Sequence, residues 1–156
     1  MKLTPHFTLQ ELTHSDTARR MGIDNTPNRT IVENLQNLCQ QVLEPLRQHL
    51  GTPVIISSGY RSPRLNQAVG GAPGSHHLTG EAADIRLPLT PYLCSDGLPH
   101  TDTTRGREWM LWLMDNTDFD QLIWETANRK DFWIHVSCRR DRSQNRHQVI
   151  RFLLKC

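Results

Sequence analysis

The sequence lacks any run of roughly 18 apolar residues, which argues against a membrane-spanning helix. Its start, MKLTPHFTLQEL, lacks the apolar core of a secretory leader, so the chain reads as made in the cytosol without a Sec signal. Cysteine is sparse: Cys39, Cys94, Cys138 and Cys156 lie far apart with no C-x-x-C pair. That spacing excludes a zinc knuckle or a dithiol redox motif and fits free thiols in a reducing compartment. Charge of one sign is also lacking. Eighteen Lys and Arg stand against 16 Asp and Glu, a net +2. Nucleic-acid binders carry a steeper, clustered basic bias, so none is expected as a partner. The densest basic run, Arg139, Arg140, Arg142 and Arg146, is interrupted by Asp141 and reads as a solvated surface or a weak patch for an anionic partner. Repeats and low-complexity tracts are absent.

What remains is an ordinary globular composition, 37% hydrophobic and 22% charged over 156 residues. That length suits one domain able to bury roughly 70% of its unfolded surface without staples. Thr8 with Glu11 forms a capping-box signature for a short helix from Leu9, and Ser15 caps a second that stops near Gly22. Thr30 with Glu33 predicts the start of the longest helix, over 31–50. Its stripe of Ile31, Leu35, Leu38, Val42, Leu46 and Leu50 faces a core, with a kink at Pro45 and a stop at Gly51. PVIISS (53–58) reads as a buried strand, Ser62-Pro63 as the start of a short helix, and EAADIRL as a second extended run. Residues 88–104, with three prolines, read as a long loop forming a rim or lid. REWMLWLMDN (107–116) is an amphipathic helix, and DQLIWET and DFWIHVS form a hairpin around ANRK. The tail NRHQVIRFLLKC fits strand or helix equally. Helices around a small, mostly antiparallel sheet make an α+β fold.

SHHLTGEAAD (75–84) holds two adjacent histidines, then a glycine, then Asp84 among Ala82, Ala83 and Ile85. A carboxylate on a buried strand is costly unless it is paired or coordinates a metal. His135 sits among strand residues in WIHVS. Catalytic zinc takes three protein ligands and an open fourth position, and two His with one carboxylate is a common set. Spacing alone leaves a metal site and satisfied core histidines both open.

The ten-residue pattern Ser75-x-His77-x-x-Gly80-x-Ala82-x-Asp84 resembles the signature of the zinc D-Ala-D-Ala peptidases of the bacterial cell wall. That family includes D,D-carboxypeptidases, D,D-dipeptidases and phage L-Ala-D-Glu endopeptidases, and shares its fold with the hedgehog signalling domain. SSGYRSPRLNQAVGGAPGS resembles the approach to that motif, in a branch seen in phage and gut-bacterial peptidases, and FWIHVS resembles the second histidine motif. The likeness runs over about residues 7 to 137.

The resemblance implies one Zn2+ per chain, held by His77, Asp84 and His135, with His76 on a variable position. It implies that Arg61 binds a substrate carbonyl or carboxylate; the plainer reading is a surface arginine beside Arg64. Tyr60, Ser75 and His76 fall in the substrate-binding or supporting layer, although Ser75 also reads as a simple turn cap. Gly80 permits the turn between His77 and the strand of Asp84.

The family's general base, an acid three residues before the second histidine, is replaced here by Phe132. Glu125 and Asp131 are the substitutes. In a hairpin Glu125 lies nearly opposite Trp133 and diagonal to His135, so it is preferred as the catalytic acid–base; its alternative is an ion pair with Arg129 or Lys130. Asp131 has the right parity but sits four residues from His135, roughly 13 Å along an extended strand.

The implied function is a monomeric zinc metallopeptidase over residues 1–156, cutting a bond involving a D-amino acid in a peptidoglycan stem peptide. The absent leader fits a phage lysin or phage-structural enzyme. The rival readings are a zinc-containing peptidoglycan-binding module without turnover and a metal-free assembly domain.

Overall fold

The computed structural model describes residues 1–152. Helix α1 (Leu9–Thr13) opens on a reciprocal capping box between Thr8 and Glu11, and Ser15 caps α2 (Asp16–Met21), which ends at a left-handed Gly22. The third helix starts differently from the expectation. Asn28, not Thr30, caps α3 (Arg29–Leu38), its side-chain oxygen accepting from the Ile31 N–H at 3.0 Å. Thr30 lies inside the first turn, and Glu33 pairs with Arg29 and Arg140 rather than reaching back to a cap. Asn is at least as good a cap as Thr, and its position two residues earlier gains a further half turn of helix.

The backbone stays helical from α3 to the end of α4 (Glu44–Leu50), and the irregularity expected at Pro45 takes the form of a π-helical turn, Cys39–Leu43, just before it. The ladder carries on through this point, since the Glu44 N–H donates to the Cys39 carbonyl, and the wider π turn lies immediately before the residue that has no N–H to give. Gly51 closes α4 with φ +64°, as predicted.

The main sheet combines β1 (Ile56–Ser58), β2 (Ala82–Arg86), β5 (Gln121–Thr126), β6 (Phe132–Ser137) and β7 (Gln148–Ile150), in the order β1-β2-β6-β5-β7. Its first three pairings are antiparallel; β7 joins β5 in parallel. The architecture is therefore α+β with a largely antiparallel sheet. α5 (Pro63–Ala68), capped by Ser62, and a 3-10 turn, His76–Thr79, lie between β1 and β2. α6 (Thr104–Asn116) begins three residues before the predicted 107.

Alternation divides the sheet's residues between two faces. Ala83, Ile85, Leu122, Trp124, Ile134 and Val136 join the core with Leu35, Leu38, Val42, Leu46, Met110 and Leu113 of the helices. Asp84, Ile123, Glu125, Trp133 and His135 lie on the opposite face. Each fully buried Leu or Ile in this layer contributes roughly 1.5–3 kcal/mol by leaving water.

One further expectation is corrected and two open ones are resolved. Residues 88–104 are not one long loop: they contain a two-stranded ribbon, β3 (Thr90–Leu93) with β4 (Pro99–Asp102). Nearly every residue of these strands is exposed, so no apolar alternation marks them, and free ribbon edges tolerate Pro91 and Pro99. In the tail, β7 is a strand, while residues 153–156, including Cys156, lie outside the described residues. The basic run is not a free anionic-partner patch. Arg146 grips buried Asp120 through two side-chain bonds of 2.8 and 2.7 Å, Arg142 pairs with Asp118, and Arg140 with Glu33. Arg139 lies 3.6 Å from Asp120. Among the described residues, no helix is long and apolar enough to cross a membrane.

Two outcomes test this framework. Asn28→Ala should cost about 1 kcal/mol in urea unfolding, whereas Thr30→Ala should stay within about 0.5 kcal/mol of wild type. Burial works to raise the Asp120 carboxyl, but hydrogen bonding and charge from Arg146, with the charge of Arg139, bring it from 3.8 down to about 2. A native pKa below the unfolded one gives stabilisation that is complete above about pH 4 and lost as pH falls toward about 2. Asp120→Asn should therefore lower stability at neutral pH and flatten its decline between about pH 4 and 2, read by urea unfolding across that range.

Candidate metal centre

His77, Asp84 and His135 arrive from separate elements and converge. Asp84 and His135 stand directly opposite in the β2–β6 pairing. His77 comes from the 3-10 turn, which Gly80 ends with φ +72°. A Cβ on Gly80 would meet Ile31 Cγ2 at 2.8 Å and the Ile31 carbonyl oxygen at 2.9 Å, so α3 packs on the turn too closely for a side chain. His77 and Asp84 are buried, and His135 is partly so.

The three side chains present a triangle of ligand atoms. His77 Nε2 lies 3.3 Å from Asp84 Oδ1 and 3.2 Å from His135 Nδ1, and the latter two are 3.0 Å apart. The hydrogen bond on the far side of His77 assigns its tautomer: Nδ1 is 2.6 Å from the Gly59 carbonyl oxygen, which can only accept. Nδ1 therefore carries the proton, and in the neutral ring Nε2 turns a lone pair toward the carboxylate and the second imidazole. Lone pairs crowded in this way favour a shared cation. Tetrahedral zinc ligands about 2.0–2.1 Å from the ion stand about 3.3 Å from one another, close to these separations. Two imidazoles and one carboxylate also match zinc's ligand chemistry.

Burial on its own would raise the Asp84 carboxyl, but its contacts with His135 and then His77 outweigh burial and hold it well below the usual carboxylate range, so the oxygen facing the histidines is anionic. Arg61 contributes to the geometry of the same carboxylate. Its Nη2 donates to Asp84 Oδ2 at 3.0 Å and its Nε to Ser58 Oγ at 2.9 Å. Asp84 thus has one oxygen clamped by Arg61 and the other directed at the histidines. The sequence resemblance puts Arg61 on substrate; here the guanidinium holds Asp84 while also lining the cleft.

The remaining candidates separate by position. Ser75 is a turn cap, its hydroxyl accepting from the His77 N–H at 3.3 Å. His76 lines the cleft, with Nδ1 3.7 Å from Asp120 Oδ2. Burial, then the positive charge of Arg139, lowers its pKa against the pull of Asp120. Tyr60 lines a neighbouring pocket with His14 and Asp16, and Arg61 borders both spaces. Glu125 lines the cleft, opposite Trp133 and diagonal to His135. Its ion-pair partner is Arg151, at 2.8 Å, rather than Arg129 or Lys130. Asp131 occupies the β5–β6 turn, accepts from the Asn128 side chain at 2.7 Å, and borders a different pocket with Arg86 and Phe132.

The cleft above the triangle has a volume of about 460 Å3, with Gly70–Gly74 forming one wall and Gln121, Ile123, Glu125 and Trp133 another. Sequence reasoning missed Gly59, Ser58, Asp120 and Arg151 as supporting groups. Gly59 alone left a trace, the glycine of SSGYRS. A Cβ there would collide with the Leu12 carbonyl of α1, so the close approach that aims the Gly59 carbonyl requires glycine.

Comparison with known families gives one assignment. The model described as Peptidase M15 matches residues 5–91. That stretch is more than half of the 156 residues and includes Arg61, His77 and Asp84, while β6 with His135 follows it. No curated protein gives a significant match.

If Arg61 acts by holding Asp84, Arg61→Ala should weaken zinc binding by about 10–100-fold in chelator competition while leaving the fold intact. Unchanged affinity would remove Arg61 from the support of the metal centre.

Proposed function

Because this chain belongs to the Peptidase M15 family, we propose that it hydrolyses a peptide bond involving a D-amino acid in peptidoglycan stem peptides. Residues 1–156 act as one zinc peptidase domain, and His77, Asp84 and His135 hold a single Zn2+. The observation that carries this reading is the triangle of lone-pair atoms, 3.0–3.3 Å apart, beneath an open cleft. When bound, zinc supplies a Lewis acid that polarises a carbonyl and acidifies water.

The chain's own groups do the rest. The Gly59 carbonyl keeps the His77 proton on Nδ1, and Arg61 keeps Asp84 turned toward the histidines. Glu125 takes the proton of the attacking water and returns it to the leaving amine. It stands on the face of His135 in the diagonal position, about 7–8 Å between backbones, a span its side chain bridges through one water. The Arg151 partner is 67% exposed at its side chain, so releasing that pair during proton transfer costs little. Asp131 is less well placed, since its carboxylate is engaged in the turn. In the Gly70–Gly74 wall, Gly70, Gly71 and Gly74 carry no side chain, which leaves room for an extended peptide to lie beside it.

A second reading rests on Phe132, which occupies the position where the resembled family carries its acid: a zinc-bearing module that binds peptidoglycan without turnover. Digestion of purified peptidoglycan separates the two. The peptidase reading expects chelator-sensitive release of stem-peptide fragments, a loss of at least about 100-fold in turnover for Glu125→Gln with zinc content retained, and loss of zinc in His77→Ala. Wall binding with no cleavage across several wall chemotypes would establish the binding module instead.

A further inference from the structure

We propose a second metal site at the tip of the β3–β4 ribbon, in which Cys94, Asp96 and His100 bind a zinc-class divalent ion. One ligand atom from each of the three lies within 4.8 Å of the others. The turn that gathers them is ordered by its own backbone. Cys94 N–H donates to the Leu98 carbonyl at 3.2 Å, Gly97 N–H donates to the Cys94 carbonyl at 2.9 Å, and Gly97 takes φ +74°. This is a three-residue hairpin loop, Ser95 to Gly97, with glycine at its left-handed position.

The side chains hold one another in place, the Cys94 thiol against the Tyr92 hydroxyl, a contact that a bound ion would replace. Asp96 Oδ1 accepts from the Leu98 N–H at 2.8 Å, which turns Oδ2 toward His100 Nε2, 3.5 Å away. Tyr92 and His100 are cross-strand partners whose rings stack at 5.7 Å, fixing the imidazole over the ribbon. Cys94, two residues after Tyr92, falls on that same face. Small rotations of these accessible side chains bring the atoms to the roughly 3.5 Å separations of a zinc shell with one sulfur.

Both the fold and the ligand chemistry favour such a clip. The ribbon leaves Tyr92, Leu93 and Leu98 exposed, and two-stranded ribbons are marginal in water without further support. One visible tie to the β5–β6 turn is the Thr101 hydroxyl donating to the Lys130 carbonyl at 3.2 Å. An ion joining both sides of the turn supplies the cross-link that the small apolar contact does not. Thiolate, imidazole and carboxylate together select zinc over calcium or magnesium, which prefer all-oxygen shells. This site differs from the His77 centre by its sulfur, which makes the two separable by spectroscopy.

Titration of the full chain with cobalt(II) tests the proposal. Two equivalents should bind, one of them developing a near-ultraviolet sulfur-to-cobalt charge-transfer band. Cys94→Ser should abolish the band and leave one equivalent, and His77→Ala should keep the band while losing the other. Asp96→Asn and His100→Ala, which retain the thiol, should each weaken the band-forming equivalent by at least about tenfold. A single equivalent without the band in the wild type, or a band that survives Cys94→Ser, would overturn it.

Discussion

The register between β2 and β6 is the constraint on which the candidate site depends. It sets Asp84 across from His135, and strand alternation sends both to the cleft while Ala83, Ile85, Ile134 and Val136 enter the core. A slip of one residue would drive a carboxylate or an imidazole into that apolar layer and expose its neighbours. The apolar residues on either side of each polar one therefore hold the register, and the register brings the polar groups together. His77 joins them only because α3 packs on Gly80 and the Gly59 carbonyl fixes its ring.

Around this centre, charged groups are paired closely enough that few act alone. Asp84 is shared among two histidines and Arg61, and Asp120 is gripped by Arg146 with Arg139 and His76 nearby. The Asp120 pairing fastens the segment after β6 to the start of β5, and Gln148 N–H then donates to the Asp120 carbonyl at 2.9 Å as β7 begins. The positive charge that looks like a surface run along the sequence is thus paired, with buried Asp120 and with the partly exposed Asp118 and Glu33.

Where local chemistry dominates, the sequence was legible. The Thr8–Glu11 box, the Ser15 and Ser62 caps and the Gly22 and Gly51 stops depend on residues within a turn of one another. The β5–β6 hairpin announced itself by apolar alternation and by the turn residues between. The Asn28 cap was missed because Thr30 and Glu33 offered an equally regular pattern, and only the partners of Glu33 show it engaged elsewhere. The ribbon was missed because strands exposed on both faces carry no periodic signal. The π-helical turn was missed because a proline reads as a kink until the ladder around it is known.

The sequence by itself determined the α+β class, the apolar stripes and the local caps, since alternation and capping are short-range properties; it offered His77, Asp84 and His135 as a set only through the resemblance of two separate motifs. Tertiary structure decided how those groups are held. Arg61 on Asp84, the Gly59 carbonyl on His77, Asp120 near His76 and Arg151 on Glu125 join residues 18 to 44 positions apart or more than one element away. Such pairings depend on where the folded backbone crosses itself, and a linear pattern contains no term for that distance.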